Sequence, residues 1–361
     1  MLTHCCRNID ETVGGSAVAR GVARQARARA SLIAGAVVAC AACAAPAPVR
    51  MPVHGPSAPG AGSAPAPPPV VTSARPAGDG RTSSALALAS PMPPTPAHPF
   101  ARYLVTGARS GVRAPVLVRL PPEYFAPGQE ARRFPVIETF HGSPGHEEQW
   151  LGKLRLGHVL DEAVAARRMS PAIIVSPSMN YPDDRTDREC VDGGPGRPAL
   201  ETWAAVDVPD WVARSFRART DRDAWATIGL SAGGWCAAMA SMLHPDRYRA
   251  AAVLSGYFRP QFPAVPADPV TPDQARRYDL LALARTAPPP VAVWLVTSPN
   301  DPESFVSSHA LEKARPPLAV TSVVLAHQDH SWTVWAHLLP DVLAWLVRVA
   351  PGFAPGARAG T

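Results

Sequence analysis

Ser231 is the residue around which chemistry could gather. It stands in Gly229-Leu230-Ser231-Ala232-Gly233, where the apolar run that begins at Trp225 meets an Ala/Met-rich stretch running to Leu243. A serine with glycines two positions before and after suits a strand that turns sharply into a helix, because only glycine tolerates the crowding there. The hydroxyl is left exposed at the tip of the turn. The amides and dipole of the following helix favour negative charge developing on an acyl oxygen. Such a serine could act as a nucleophile in acyl transfer. The bland alternative is a glycine-rich turn with an N-capping serine and no chemistry, so the rest of the chain must decide.

A nucleophilic serine needs a base, an acid to orient that base and donors for the oxyanion. Val291 to Ser298 reads as a strand and is followed by Asp301, with Glu303 close behind; Asp301 is nearer the strand end and is the preferred acid. Leu318 to Ala326 reads as the last strand and runs into His327-Gln328-Asp329-His330-Ser331-Trp332. His330 lies in the turn that must reach over the serine and is preferred to His327 as the base. Upstream, the strand Phe134 to Phe140 empties into His141-Gly142-Ser143-Pro144-Gly145. The N–H groups of Ser143 and Ala232 are the candidate oxyanion donors, and His141 is read as a brace of its loop rather than as the base. Trp150, Trp203, Trp235 and Trp332 could line an acyl or aromatic pocket; the alternative is that they are core residues.

The elements that must position these residues alternate between strand and helix. Arg113 to Leu120 reads as a strand stopped by Pro121-Pro122, Leu154 to Met169 as a helix, and Ala172 to Val175 as a short buried strand. Glu201 to Phe216 reads as helix despite Pro209, and Tyr248 to Tyr257 as another buried strand. Residues 258–289 are proline-rich and read as an irregular cap or substrate-facing insertion, and a final helix runs through Trp345. This pattern predicts an α/β fold with a mostly parallel central sheet flanked by helices. Chemistry in such sheets sits at the carboxyl ends of the strands, where Ser231, Asp301 and His330 all fall. The loop 180–198 holds five acids, but Arg185 and Arg188 interleave and the spacing fits no calcium loop, so it is read as a solvated rim.

At 361 residues and 47% hydrophobic, the chain can bury a large core. Four segments are expected: a leader over 1–45, a linker over 46–99, a catalytic domain over 100–350 and a disordered tail over 351–361. The net charge of +6 is concentrated at the front: residues 1–99 hold eight Arg against three acids, leaving 27 basic and 26 acidic residues for the remainder. The folded part is therefore near neutral and carries no nucleic-acid footprint. Arg20 to Arg29 is basic, and Ala30 to Ala45 is apolar and uncharged, the ordering of an export signal. Val37-Val38-Ala39-Cys40 resembles a bacterial lipobox, with cleavage near Ala44 and an uncleaved membrane anchor as rivals. Residues 46–99 contain 15 of the 43 prolines and few large apolar side chains, which predicts a disordered spacer. Of six cysteines, only Cys190 and Cys236 fall in the domain. In an oxidising compartment they would pair; the alternative is two reduced thiols with Cys236 buried.

Taken together, Gly229-Leu230-Ser231-x-Gly233-Gly234, Glu201-Thr202-Trp203 with Trp211 downstream, and His330-Ser331-Trp332-x-x-Trp335 resemble the putative esterase branch of the α/β-hydrolases, which includes esterase D and the mycolyltransferases. The resemblance spans about residues 100–350. It implies the α/β-hydrolase fold and a serine hydrolase or acyltransferase that needs no cofactor or metal and acts on a small-molecule or lipid ester. The chain order Ser231, Asp301, His330 is that of this fold, and the His-Gly loop is similar to its oxyanion loop. Two departures from the mycolyltransferases, an earlier acid and the proline-rich insertion, argue against transfer to trehalose. Acyl transfer to another alcohol, a peptidase activity and a non-catalytic binding domain on the same scaffold stand beside ester hydrolysis as alternatives.

Overall fold

The computed structural model describes residues 93–182, 189–261 and 271–357. The expected leader, and the linker apart from residues 93–99, lie outside the described residues. Eight strands form one sheet in the order β1-β2-β4-β3-β5-β6-β7-β8. They are β1 (Phe100–Thr106), β2 (Arg113–Arg119), β3 (Val136–Phe140), β4 (Ile173–Pro177), β5 (Trp225–Leu230), β6 (Ala250–Leu254), β7 (Ala292–Thr297) and β8 (Ala319–Val324). β2 runs antiparallel to β1 and β4, and every pairing from β4 across to β8 is parallel. The strands β3 to β6 are buried along their whole length because helices cover both faces. This is the mostly parallel, helix-flanked sheet that the alternation predicts. β1 is an addition: apolar side chains lie on both of its faces, Ala101 and Val105 buried and Phe100 and Leu104 exposed, so its sequence has no inside–outside alternation.

One face packs on α1 (Leu156–Ala165) and α8 (Trp332–Val349), with Ile137, Ile174, Ile228 and Trp294 meeting Leu160, Leu339 and Leu343. The other face packs on α2 (Leu200–Thr202), α3 (Val208–Ser215), α4 (Ala232–Leu243), α6 (Leu280–Thr286) and α7 (Pro302–Leu311). A short α5 (Pro272–Arg277) precedes α6.

Several expectations are corrected. The single helix over 201–216 is three pieces, because Pro209 has no N–H to continue an α-helical ladder. A wide π turn over Trp203–Asp207, closed by Val208 N–H to the Trp203 carbonyl, absorbs the defect before α3 begins. The insertion 258–289 is not wholly irregular: α5 is opened by a capping box of Thr271 and Gln274, and α6 is capped by Asp279. Residues 262–270 lie outside the described residues. The acidic loop is not simply a solvated rim, since Glu189, Cys190 and Val191 are buried; its residues 183–188 are outside the described set. The expected tail folds back: Phe353 is fully buried, and Ser170 N–H and Oγ–H donate to the carbonyls of Phe353 and Ala354 at 3.0 and 2.6 Å. Residues 358–361 lie outside the described residues.

Cys190 and Cys236 form a disulfide with a Cα separation of 5.6 Å, tying the loop before α2 to the helix behind Ser231.

Candidate active site

β5 ends at Leu230, and Ser231 turns the chain directly into α4 with φ 55° and ψ −129°, a left-handed backbone that side chains rarely adopt. The glycines make that turn possible. A Cβ at Gly229 would collide with the Gly233 carbonyl, and one at Gly233 with the carbonyls of Phe140 and His141. Ser231 N–H donates to the Leu254 carbonyl at 2.9 Å, which anchors the elbow to the end of β6. The hydroxyl thus sits over the N-terminus of the twelve-residue α4.

The loop leaving β3 packs against this elbow: a Cβ on Gly142 would lie 3.2 Å from that of Ser231. His141 is buried, and both of its ring nitrogens are committed. Met179 N–H donates to Nε2 at 3.0 Å, so Nδ1 carries the proton and donates to the Gly142 carbonyl at 2.8 Å. His141 is therefore the brace the sequence predicts. Asn180 Nδ2 adds a second brace by donating to the Gly145 carbonyl at 2.9 Å. Among the described residues, the N–H groups of Ser143 and Ala232 donate to no other group, as two oxyanion donors require.

Asp301 and His330 meet. His330 Nδ1 donates to Asp301 Oδ2 at 2.8 Å, across the carboxyl ends of β7 and β8. Asp301 is the N-cap residue of α7, yet its side chain makes no capping bond, because the carboxylate is spent on the imidazole. Glu303 is exposed in the first turn of α7 and His327 is exposed beyond β8. The His330 turn leans away from β8: besides Asp301 after β7, its ring packs edge-on against Trp335 with centroids 4.8 Å apart, and Trp335 Nε1–H donates to Ser255 Oγ after β6 at 3.0 Å.

Three of the four tryptophans expected to line a pocket do not. Trp150 and Trp235 are fully buried, as is Trp203; Trp235 stacks on Tyr257 and donates to the Glu189 carbonyl at 2.6 Å. They belong to the core, because the faces they occupy are covered by other elements. Trp332 remains half-buried at the surface, with the Lys153 ammonium 4.2 Å from its ring centre. A cavity of about 470 Å³ lies beside the 143–150 loop, with polar walls from Arg113, His146, Glu147, Asn180 and Tyr181. Sequence reasoning missed Asn180, Ser255 and the role of Trp335. The only local signal for Ser255 is its place at a strand end before a glycine.

A family model described as "Putative esterase" matches residues 108–346, well over half of the chain. Among solved structures, a ferulic acid esterase aligns with TM-score 0.57 at 18% identity, covering 69% of this chain and 98% of that one. An S-formylglutathione hydrolase from Agrobacterium tumefaciens aligns with TM-score 0.57 at 16% identity, covering 70% and 95%. MPT51 of Mycobacterium tuberculosis aligns with TM-score 0.51 at 17% identity, covering 69% and 98%. At these identities the structural likeness establishes the α/β-hydrolase fold.

Proposed function

Since the chain belongs to the putative esterase family, and is on that ground a serine ester hydrolase, we propose that it cleaves carboxylic esters through a triad of Ser231, His330 and Asp301. The observation that carries this reading is the 2.8 Å hydrogen bond between His330 and Asp301, made at the same end of the sheet as the strained elbow of Ser231. Ser231 Oγ attacks the ester carbonyl as His330 Nε2 takes its proton, and Asp301 holds Nδ1–H so that Nε2 is the free base. The N–H groups of Ser143 and Ala232 receive the oxyanion. The C–O bond to the alcohol then breaks, His330 returns its proton to the leaving alcohol, and water, activated by the same imidazole, releases the acid and restores Ser231.

An alcohol in place of water at the deacylation step would make the enzyme an acyltransferase, and product analysis with added sugars or alcohols separates the two outcomes. The basic and apolar runs of the leader, with the Cys190–Cys236 disulfide, support export to an oxidising compartment and attachment to a membrane through the N-terminus. The mass of the mature N-terminus distinguishes a lipidated Cys40 from cleavage near Ala44; an unprocessed chain would contradict both.

The central test is turnover of a chromogenic short-chain ester together with fluorophosphonate labelling. Ser231→Ala should abolish labelling and lower kcat by about a million-fold, and Asp301→Asn should cost about ten-thousand-fold while Glu303→Gln costs little. Labelling that survives in Ser231→Ala, or equal losses in Asp301→Asn and Glu303→Gln, would sink the assignment.

A further inference from the structure

We propose that Trp335 is a positioning residue for His330, that Ser255 holds Trp335 in place, and that the left-handed backbone at Ser255 is kept for this bond. The inference rests on the reading of His330 as the catalytic base.

A single hydrogen bond fixes one atom of a ring and leaves the ring free to pivot about it. His330 needs more than its bond to Asp301, because its side chain is 42% exposed and residues 326–330 are all exposed. The second constraint is the indole of Trp335, which meets the imidazole at an interplanar angle of 87° with centroids 4.8 Å apart. That contact blocks rotation about the Asp301 bond only if the indole itself cannot move. Trp335 is buried in the first turn of α8, Trp332 packs against it edge-on at 5.3 Å, and its N–H is held by Ser255 Oγ at 3.0 Å. Swinging the indole would leave a buried donor without an acceptor.

Ser255 supplies an independent observation. Its φ is 53°, a region glycine enters far more readily than any L side chain. A glycine at this position would relax the backbone, yet the chain carries a serine, and the hydroxyl is the part that contacts Trp335. The site is also well placed. Ser255 follows Leu254, whose carbonyl takes the Ser231 N–H at 2.9 Å, and Ser255 N–H is itself tied to the Val296 carbonyl at 3.0 Å. The support of the base and the support of the nucleophile are therefore adjacent residues at the end of β6, so the two side chains share one frame.

The test uses the full chain and the chromogenic ester, with Trp335→Phe, Ser255→Ala and Ser255→Gly. Each variant removes the indole-to-hydroxyl bond while keeping an aromatic ring or a small residue in place. Each should lower kcat by about tenfold and leave KM within about twofold, because aim is lost and not binding. Fluorophosphonate labelling of Ser231 should slow in parallel. The double variant Trp335→Phe/Ser255→Ala should be no worse than the poorer single, since both delete the same bond. Ser255→Gly is the decisive member: it deletes the same hydroxyl but relieves the left-handed backbone, so its kcat should fall as far as that of Ser255→Ala while its Tm falls less. If all variants keep kcat within about twofold of the parent while Ser231→Ala abolishes turnover, the positioning role is refuted and the triad stands. If kcat falls only in step with Tm, Ser255→Gly included, the role is structural and the inference is likewise refuted. Turnover that survives His330→Ala would instead overturn the reading on which it rests.

Discussion

Glu201 should behave as an acid-sensitive anchor of the helix that follows Ser231. It is 2% exposed and accepts hydrogen bonds from His244 Nε2 at 2.9 Å, Arg277 Nε at 3.0 Å and Tyr278 O–H at 2.6 Å, joining α2 to the end of α4 and to α5. Burial alone would raise its pKa, but the bonds from His244, Arg277 and Tyr278 and the charge of Arg277 outweigh burial and pull it from 4.5 to about 2. A carboxylate whose folded pKa lies below its unfolded pKa contributes stability that is fully present above the unfolded value and drains away as pH falls toward the folded value. The whole shift corresponds to about 3 kcal/mol, of which about 1.4 kcal/mol is lost by a pH of about 3.5. The perturbation is Glu201→Gln, which cannot ionise and leaves the three donors facing a neutral amide. At neutral pH the variant should be about 3 kcal/mol less stable, a fall in Tm of roughly 6–12 °C. Urea unfolding followed by tryptophan fluorescence at a pH of about 7 and again at about 3.5 checks this, and the gap between the two proteins should narrow by about 1.4 kcal/mol at the acid end. A gap that is constant with pH, or smaller than about 1 kcal/mol at neutrality, would refute the linkage argument.

Two further outcomes follow from the same physical reasoning. Cys190 and Cys236 are 46 residues apart, and the loop-entropy relation puts the contribution of their disulfide at about 4 kcal/mol; the double variant Cys190→Ala/Cys236→Ala should unfold at correspondingly lower urea, and a loss below about 1 kcal/mol would contradict that account. Glu138 is fully buried in β3 and accepts from the Tyr248 hydroxyl at 2.6 Å, and burial pushes its pKa up to about 8 against the opposing effect of that bond. Its folded pKa lies above its unfolded pKa, so it is protonated at neutrality and stability should decline as pH rises from 4.5 towards about 8. Glu138→Gln should remove that decline, and parallel stability–pH curves for parent and variant across this window would rule it out.

Local sequence carried the elbow and the order of the elements. Gly229, Ser231 and Gly233 are legible because the crowding they answer comes from their own turn and from the strand end beside it. Strand–helix alternation likewise predicts the parallel sheet, since burial of both faces writes continuous apolar runs into β4, β5 and β6. β1 and the broken helix around Pro209 escape such reading. In β1 the apolar residues occupy both faces, and in the broken helix a π turn restores continuity that no residue pattern announces.

What the residue order determined by itself was the identity of the chemical groups and the strand ends on which they fall: a serine in a strained turn, then an acid, then a histidine. Tertiary structure alone decided which acid and which histidine meet, whether the tryptophans face ligand or core, and that the cysteines are 5.6 Å apart at Cα. The physical reason is that a hydrogen bond such as that of Asp301 to His330 depends on where two loops lean after leaving their strands, and burial depends on what lands on a surface from elsewhere in the chain. Both are set by packing between segments distant in sequence, and neither leaves a trace in the spacing of neighbouring residues.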